Sequence, residues 1–266
     1  MITPIPFQEI IEKLNIPAYK YFETIGSTNT TALSWLEEGA ADGSIVFANH
    51  QQAGKGRKQR HWVTNPGSAI ALSIIMKPTQ QEKEYLQFFS AVAALALVQV
   101  LQEKYQITAQ IKWPNDVLIQ QRKCAGILLE AAWHGQELAG IVVGIGVNLF
   151  PASVPPAYLV QFPATCVQNH THSSISQFDF LGELITAFSN YRTNFNFDNF
   201  HNQWENLLAF RGERVYIIEN DESHISGTLL GVEFNGDLRV LTNDAKILTF
   251  SAADIQLRPT NDVWEK

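Results

Sequence analysis

Between Glu82 and Tyr105, apolar side chains fall on nearly every face of a helix: Leu86, Phe88, Phe89, Val92, Leu95, Leu97, Val98 and Leu101. A helix that is apolar all round has no face to leave in water, so the segment describes a long helix buried against a sheet. Strand signals for that sheet lie on both sides of it. Lys20 to Thr24, Ser44 to Asn49 and Ala69 to Met76 come before, and Ile107 to Lys112, Ile127 to Trp133 and Leu138 to Val147 come after. The last two are joined by the turn-like His134-Gly135-Gln136. Ser27 is positioned to cap a helix whose apolar residues Ala32, Leu33, Trp35 and Leu36 cluster on one side, and Gly39 with Ala41-Asp42-Gly43 ends it.

Pro151 to Ser176, with Pro155-Pro156 and several Asn, Thr and Ser residues, reads as a long irregular connection. Helical segments are expected near Phe178 to Asn194 and Phe200 to Leu208. After Arg211-Gly212 the pattern changes. Val215 to Ile218, Ile225 to Val232, Leu238 to Leu241 and Ile247 to Phe250 are short strands joined by polar or glycine turns, the signature of a small β-barrel. A boundary near residue 211 divides the chain into 1–210 and 211–266. No repeat, low-complexity tract or charge block interrupts it.

At 266 residues, 45% apolar and 17% charged, the chain has the size and composition of a globular protein with a substantial core. A net charge of -7 argues against broad, non-specific nucleic-acid binding, so any anion site must be local. Only Cys124 and Cys166 are present, which excludes a disulfide framework and suits a reducing compartment. No apolar run reads as long enough to span a membrane, and Met1 to Phe7 carries two prolines and no basic residue, unlike a secretory signal. A cytoplasmic protein is expected.

The local anion site has a clear candidate. Lys55, Arg57, Lys58 and Arg60 place four cations in six residues, inside Gly54-Lys55-Gly56-Arg57-Lys58-Gln59-Arg60-His61-Trp62. Glycines let backbone N–H groups approach a ligand and the cations suit phosphate or carboxylate oxygens, although a solvated basic turn has the same composition. The loop matches neither the G-x-x-x-x-G-K-[ST] phosphate loop nor G-x-G-x-x-G. Lys112-Trp113-Pro114-Asn115-Asp116 follows a strand, and Pro114 keeps Trp113 out of helical geometry, so the five residues form a stiff corner. Lys112 is read as an exposed lysine on rigid backbone: a positioned point charge for a phosphoryl oxygen, or a surface lysine beside a structural turn. Gly144-Ile145-Gly146-Val147-Asn148 adds bare backbone and an amide at a strand exit.

Taken together, these segments resemble the biotin protein ligase family. That family shows Ser-Thr-Asn near its first helix, a Gly-Arg-Gly-Arg loop ending in tryptophan, and Lys-Trp-Pro-Asn-Asp. Here they stand, in family order, as Ser27-Thr28-Asn29, Gly54 to Trp62 and Lys112 to Asp116, followed by Ala125 to Glu130 and Gly144 to Asn148. The resemblance covers roughly residues 20 to 258. It implies an α/β (α+β) fold, with a class II synthetase-like catalytic domain of mixed sheet flanked by helices and an SH3-like C-terminal barrel. The implied reaction joins biotin to ATP as biotinyl-5'-adenylate and passes the biotinyl group to a lysine of a biotin carboxyl carrier domain. Biotin would contact Ser27, Thr28, Asn29, Gln51, Gly54, Lys55, Gly56, Arg57 and Lys112, and ATP would contact Lys58, Arg60, Trp62, Asn115 and Asn148. Arg57 and Lys112 would be catalytic. Magnesium would accompany the nucleotide without a dedicated ligand cluster.

Several positions depart from that pattern. Lys55 stands where the family usually has arginine, and Gln59 where it usually has glycine, so Gln59 would be strained if the loop needs positive φ there. Cys124 replaces a usual leucine and reads as a small hydrophobe. Only some twenty residues precede the first strand, too few for the DNA-binding domain some family members carry, so neither DNA nor membrane is an expected partner. A homodimer is left open. Cys166, His170 and His172 offer three ligands where a structural zinc normally takes four. Asn29-Thr30-Thr31 and Asn169-His170-Thr171 match a glycosylation pattern that a cytoplasmic chain would not use. The competing readings are a lipoyl or octanoyl transferase of the same fold and a non-catalytic anion- or nucleic-acid-binding module.

Overall fold

The computed structural model describes residues 3–220, 223–251 and 256–259. The expected C-terminal unit therefore lies partly outside the described residues, as do Met1 and Ile2 of the N-terminal segment. In chain order the first half contains α1 (Ile5–Lys13), β1 (Tyr19–Ile25), α2 (Thr28–Glu37), β2 (Ile45–Gln51), β3 (Gly54–Lys55), β4 (His61–Trp62), β5 (Ala69–Met76) and α3 (Phe89–Tyr105). Next come β6 (Gln110–Lys112), β7 (Asp116–Ile119), β8 (Arg122–His134), β9 (Glu137–Asn148), α4 (Gln177–Thr193) and α5 (Phe197–Asn206). The chain closes with β10 (Arg214–Asn220), β11 (Ser223–Val232), β12 (Leu238–Thr242), β13 (Ile247–Phe250) and β14 (Gln256–Pro259).

Seven strands form one mixed sheet in the order β1-β2-β5-β9-β8-β7-β6, parallel only between β1 and β2. Side chains alternate across a strand, and this decides where the site lies. On β5 and β9, Ile70, Leu72, Ile74, Ile141, Val143, Ile145 and Val147 join the main core beneath α3 and α4. The alternate residues face α2, where Ala32 and Leu36 pack on Val46, Ile75, Ala132 and Val142. This second face also carries Ser73, Gly144, Gly146 and Asn148, the polar and bare positions of the two strands. Ser27 caps α2 by accepting the Thr30 N–H at 3.4 Å, as the sequence predicts.

The apolar segment differs from its expectation. A 3-10 turn, Glu82–Phe88, precedes α3 and breaks helical geometry at Tyr85 (φ -123°). The whole stretch, Glu82–Tyr105, is in fact long and apolar enough to cross a membrane by composition, with a mean hydropathy of 1.6 in its most apolar window. Of that window, 67% is buried inside the protein, the situation of a core helix. The expected strand from Ile107 shortens to β6, while α1, β3, β4, β7 and β14 have no counterpart in the sequence reading.

A second sheet, β13-β12-β11-β10-β14, is antiparallel throughout. Its inward residues Val215, Ile217, Leu229, Leu238 and Val240 continue the main core. The β11–β12 turn reaches the corner after β6, where the Trp113 indole N–H donates to the Gly236 carbonyl at 3.0 Å.

Candidate functional site

The face of the sheet beside α2 opens into a cavity of about 540 Å3. Ser27, Thr28, Asn29, Gln51, Lys55, Gly56, Arg57, Lys58, Arg60, Trp62, Lys112, Asn115 and Asn148 all line it. Of the residues expected to contact biotin or ATP, Gly54 alone stands back from the lining. Its role is steric, because a Cβ there would collide with the Trp62 carbonyl across the β3–β4 ribbon. The basic loop and the Lys112 corner, 50 residues or more apart in the chain, thus open on one cavity.

One wall is neutral and buried. Gln51 Oε1 accepts from the Thr28 backbone N–H at 2.8 Å and lies 3.0 Å from Thr28 Oγ1. The Gln51 backbone N–H donates to Thr64 Oγ1 at 2.8 Å. Asn29 Nδ2 donates to Glu130 Oε2 at 2.8 Å. Two glycines on one face of β9 make room for this wall and its neighbour. A Cβ at Gly144 would collide with the Asn29 amide, and one at Gly146 would come within 2.5 Å of the Trp62 indole. Trp62 also lies against Gly126, the partner of Gly146 on β8, so bare backbone on two paired strands forms the floor under its ring.

The other side is charged. Lys55, Lys58 and Arg60 are exposed around the tip of the β3–β4 ribbon, closed by a Gly56 N–H to Arg60 carbonyl bond of 2.7 Å. The left-handed residue in this tip is Lys58 (φ 53°), and Gln59 keeps helical geometry, so the strain expected at Gln59 falls one residue earlier. Arg57 turns inward and donates to Asn115 Oδ1 at 3.4 Å, while Asn115 Nδ2 donates to the Ile127 carbonyl at 2.6 Å. Burial lowers the Arg57 pKa, opposed by Asp116 and helped by Arg60.

Lys112 is not the exposed corner lysine expected from the sequence. It is 5% exposed, with Nζ 5.1 Å from the centre of the Phe162 ring. β6 is covered here because the segment after β9 folds back over it. What permits a buried ammonium is Asp116, paired with Lys123 at 2.7 Å. Burial alone would raise the Asp116 carboxyl, but Lys123, Lys112 and Arg57 hold it below the usual carboxylate range.

The sequence reading passed over Asp116 and Glu130 as charge or hydrogen-bond partners, and Lys123, Ser73 and Thr64 altogether. It also read the stretch containing Pro155, Leu159, Val160, Gln161 and Phe162 as mere connection, whereas these residues line the cavity. The Asp116 and Glu130 positions fell within the motifs and could have been flagged as carboxylates beside cations; Ser73 carried no local signal. Cys124 is buried, and burial pushes its thiol up, in keeping with a small hydrophobe. His170 Nε2 lies 2.8 Å from Thr165 Oγ1, and no group of three His, Cys, Asp or Glu side chains is gathered for a metal among the described residues.

Residues 21–148 match the model of the biotin/lipoate A/B protein ligase family. A biotin–[acetyl-CoA-carboxylase] ligase of Paracoccus denitrificans is 34% identical over 237 residues, covering 86% of this chain and 96% of that protein. The bifunctional ligase/repressor BirA of Bacillus subtilis is 28% identical over 89% of this chain and 73% of its own length. In fold, the chain is similar to a biotin protein ligase of Aquifex aeolicus solved with biotin and ATP, with a TM-score of 0.77 at 24% identity over 91% of this chain and 99% of that one. A third of the residues shared along nearly the full length of a biotin ligase, on the same layered fold, means that this chain belongs to the biotin protein ligase family.

Proposed function

We propose that the cavity activates biotin with ATP and transfers the biotinyl group to a lysine of a biotin carboxyl carrier domain. The observation that carries this reading is the convergence of the basic loop and Lys112 on one cavity that also has a neutral, hydrogen-bonding wall. Ser27, Thr28, Asn29 and Gln51 take the ureido end of biotin. Gly54 to Arg57 and Lys112 surround its carboxylate. Lys58, Arg60, Trp62, Asn115 and Asn148 take the nucleotide, with Trp62 offering a face for adenine.

In the first step a biotin carboxylate oxygen attacks the α-phosphorus of ATP and pyrophosphate leaves. Negative charge gathers on the phosphoryl oxygens, where Arg57 and Lys112 are already fixed and need not reorganise. In the second step the neutral amine of the acceptor lysine attacks the acyl carbon of the mixed anhydride and AMP leaves. Asp116 is the one carboxylate lining the cavity among the described residues. That donor set suits a magnesium ion arriving largely hydrated on the nucleotide's phosphates, where it would neutralise phosphate charge. Residues 1–210 serve as the catalytic domain and 211–266 as an SH3-like domain, in a cytoplasmic enzyme.

A lipoyl or octanoyl transferase is disfavoured by the 34% identity to a biotin ligase. The test is to incubate the protein with biotin, magnesium ATP and a carrier domain and to weigh the carrier. One biotinyl group added at the carrier lysine is expected. No adduct with biotin, or an adduct only with lipoate or octanoate, would overturn the reading.

A further inference from the structure

β5 is apolar from Ala69 to Met76 except at Ser73, which is fully buried at 0% exposure. A hydroxyl taken out of water needs partners. Those of Ser73 are Asn29 Oδ1 at 2.6 Å and Thr28 Oγ1 at 2.8 Å, two residues of the neutral wall.

The hydrogens of this group can be assigned by elimination. Asn29 Nδ2 lies 2.8 Å from Glu130 Oε2 and 3.4 Å from the Leu128 carbonyl, both acceptors, so the Asn29 oxygen must be the atom facing Ser73. Gln51 Oε1 is occupied by the Thr28 backbone N–H, so it too faces the row as an acceptor. Two hydroxyls therefore stand between two amide oxygens, with two hydrogens for three contacts of 3.0, 2.8 and 2.6 Å. Thr28 Oγ1 donates to Gln51 Oε1, whose second lone pair is open beside the one taken by the Thr28 N–H, and Ser73 Oγ lies within donating distance of both Thr28 Oγ1 and Asn29 Oδ1.

We infer that Ser73 is a positioning residue that holds Thr28 and Asn29 of the ligand-binding wall in place. With the Thr28 hydrogen committed to Gln51 Oε1 and Ser73 bridging Thr28 and Asn29, Thr28 Oγ1 has no hydrogen left to offer a ligand in the cavity that Thr28 lines. This end of the cavity then accepts a ligand N–H and repels a ligand oxygen or sulfur, which selects a cyclic urea such as that of biotin over the dithiolane of lipoate or a bare acyl chain. The inference rests on the proposed biotin reading and names the device by which that end would recognise its substrate.

The experiment is biotin-dependent exchange of pyrophosphate into ATP by the full chain, comparing Ser73→Ala, Ser73→Thr and Ser73→Val. Ser73→Ala should raise the biotin KM about tenfold, the usual size of one lost buried hydrogen bond, and leave the ATP KM unchanged. Desthiobiotin, which keeps the urea and lacks the sulfur ring, should suffer the same factor. Thr and Val have the same shape and differ only in the hydroxyl, so Ser73→Thr should bind biotin more tightly than Ser73→Val. If Ser73→Ala leaves the biotin KM within about twofold of an active parent, or Thr and Val are equally impaired, the role of Ser73 falls while the ligase reading stands. If the parent itself shows no biotin-dependent exchange, the ligase reading falls and takes this inference with it.

Discussion

The two sides of the cavity are built on opposite physical terms. The neutral wall of Ser27, Thr28, Asn29 and Gln51 is buried, with its amides and hydroxyls bonded to one another and to Ser73 and Glu130. The basic loop keeps Lys55, Lys58 and Arg60 in solvent and holds Lys58 in left-handed geometry. Neutral donors and acceptors can be buried in advance if they satisfy each other, whereas a cluster of like charges cannot be buried without anions to offset the desolvation. Shape recognition is thus present before the ligand arrives, and charge recognition is completed by it. Lys112 is the exception, a buried cation made tolerable by the carboxylate of Asp116.

The sharpest way to break this contrast is to remove that exception. Lys112→Ala should lower the rate of adenylate formation by about 10²- to 10³-fold, since a preorganised charge near the phosphorus is lost. Its melting temperature should stay close to the parent's, because Asp116 keeps Lys123 at 2.7 Å. Undiminished pyrophosphate exchange would show that the buried lysine serves the fold instead.

Asp116→Asn attacks the same point from the other side and should cost about 2 kcal/mol, less than a fully buried pair because Lys123 keeps some contact with water. The pH dependence follows from the depressed carboxyl. A group whose folded value lies below its unfolded value of about 3.9 contributes stability above that value and loses it as pH falls through the folded one. Denaturant midpoints of parent and variant should differ at neutral pH and converge below about pH 4. A constant gap down to pH 2 would contradict the assignment.

Arg57→Gly should leave the wall intact and release biotinyl-adenylate about tenfold faster, as a charge-assisted bond to the intermediate disappears. Equal retention by variant and parent, measured by rapid filtration, would remove Arg57 from the site. The smallest effect is expected at Gln59→Gly. Since Gln59 is not the residue with positive φ, glycine relieves no strain there and should destabilise the tip by a few tenths of a kcal/mol, through added freedom of the unfolded chain. A gain in melting temperature would mean that the tip is strained at this position after all.

Much of this was legible from residues alone. β5 was located to the residue by its apolar run between Gly67 and Pro78, and the Ser27 cap by its place before an apolar helix. The candidate site residues came from the resemblance to the ligase family that the motifs carry. β7 was missed because four residues between two turns carry no periodic signal, and only pairing with β6 and β8 makes them a strand. α1 was missed because it is short, with only Phe7 and Ile11 fully buried.

Residue types and local spacing determined which elements form, where charge gathers and which family's pattern the chain carries, because propensity, capping and turn chemistry act over a few residues. Tertiary structure alone decided that Lys112 is buried, that Asp116 pairs with Lys123, and that a serine in an apolar strand bonds to Asn29 of the wall, 44 residues away in the chain. Burial and pairing between distant segments depend on which strand lies beside which, and therefore on how all seven strands register at once.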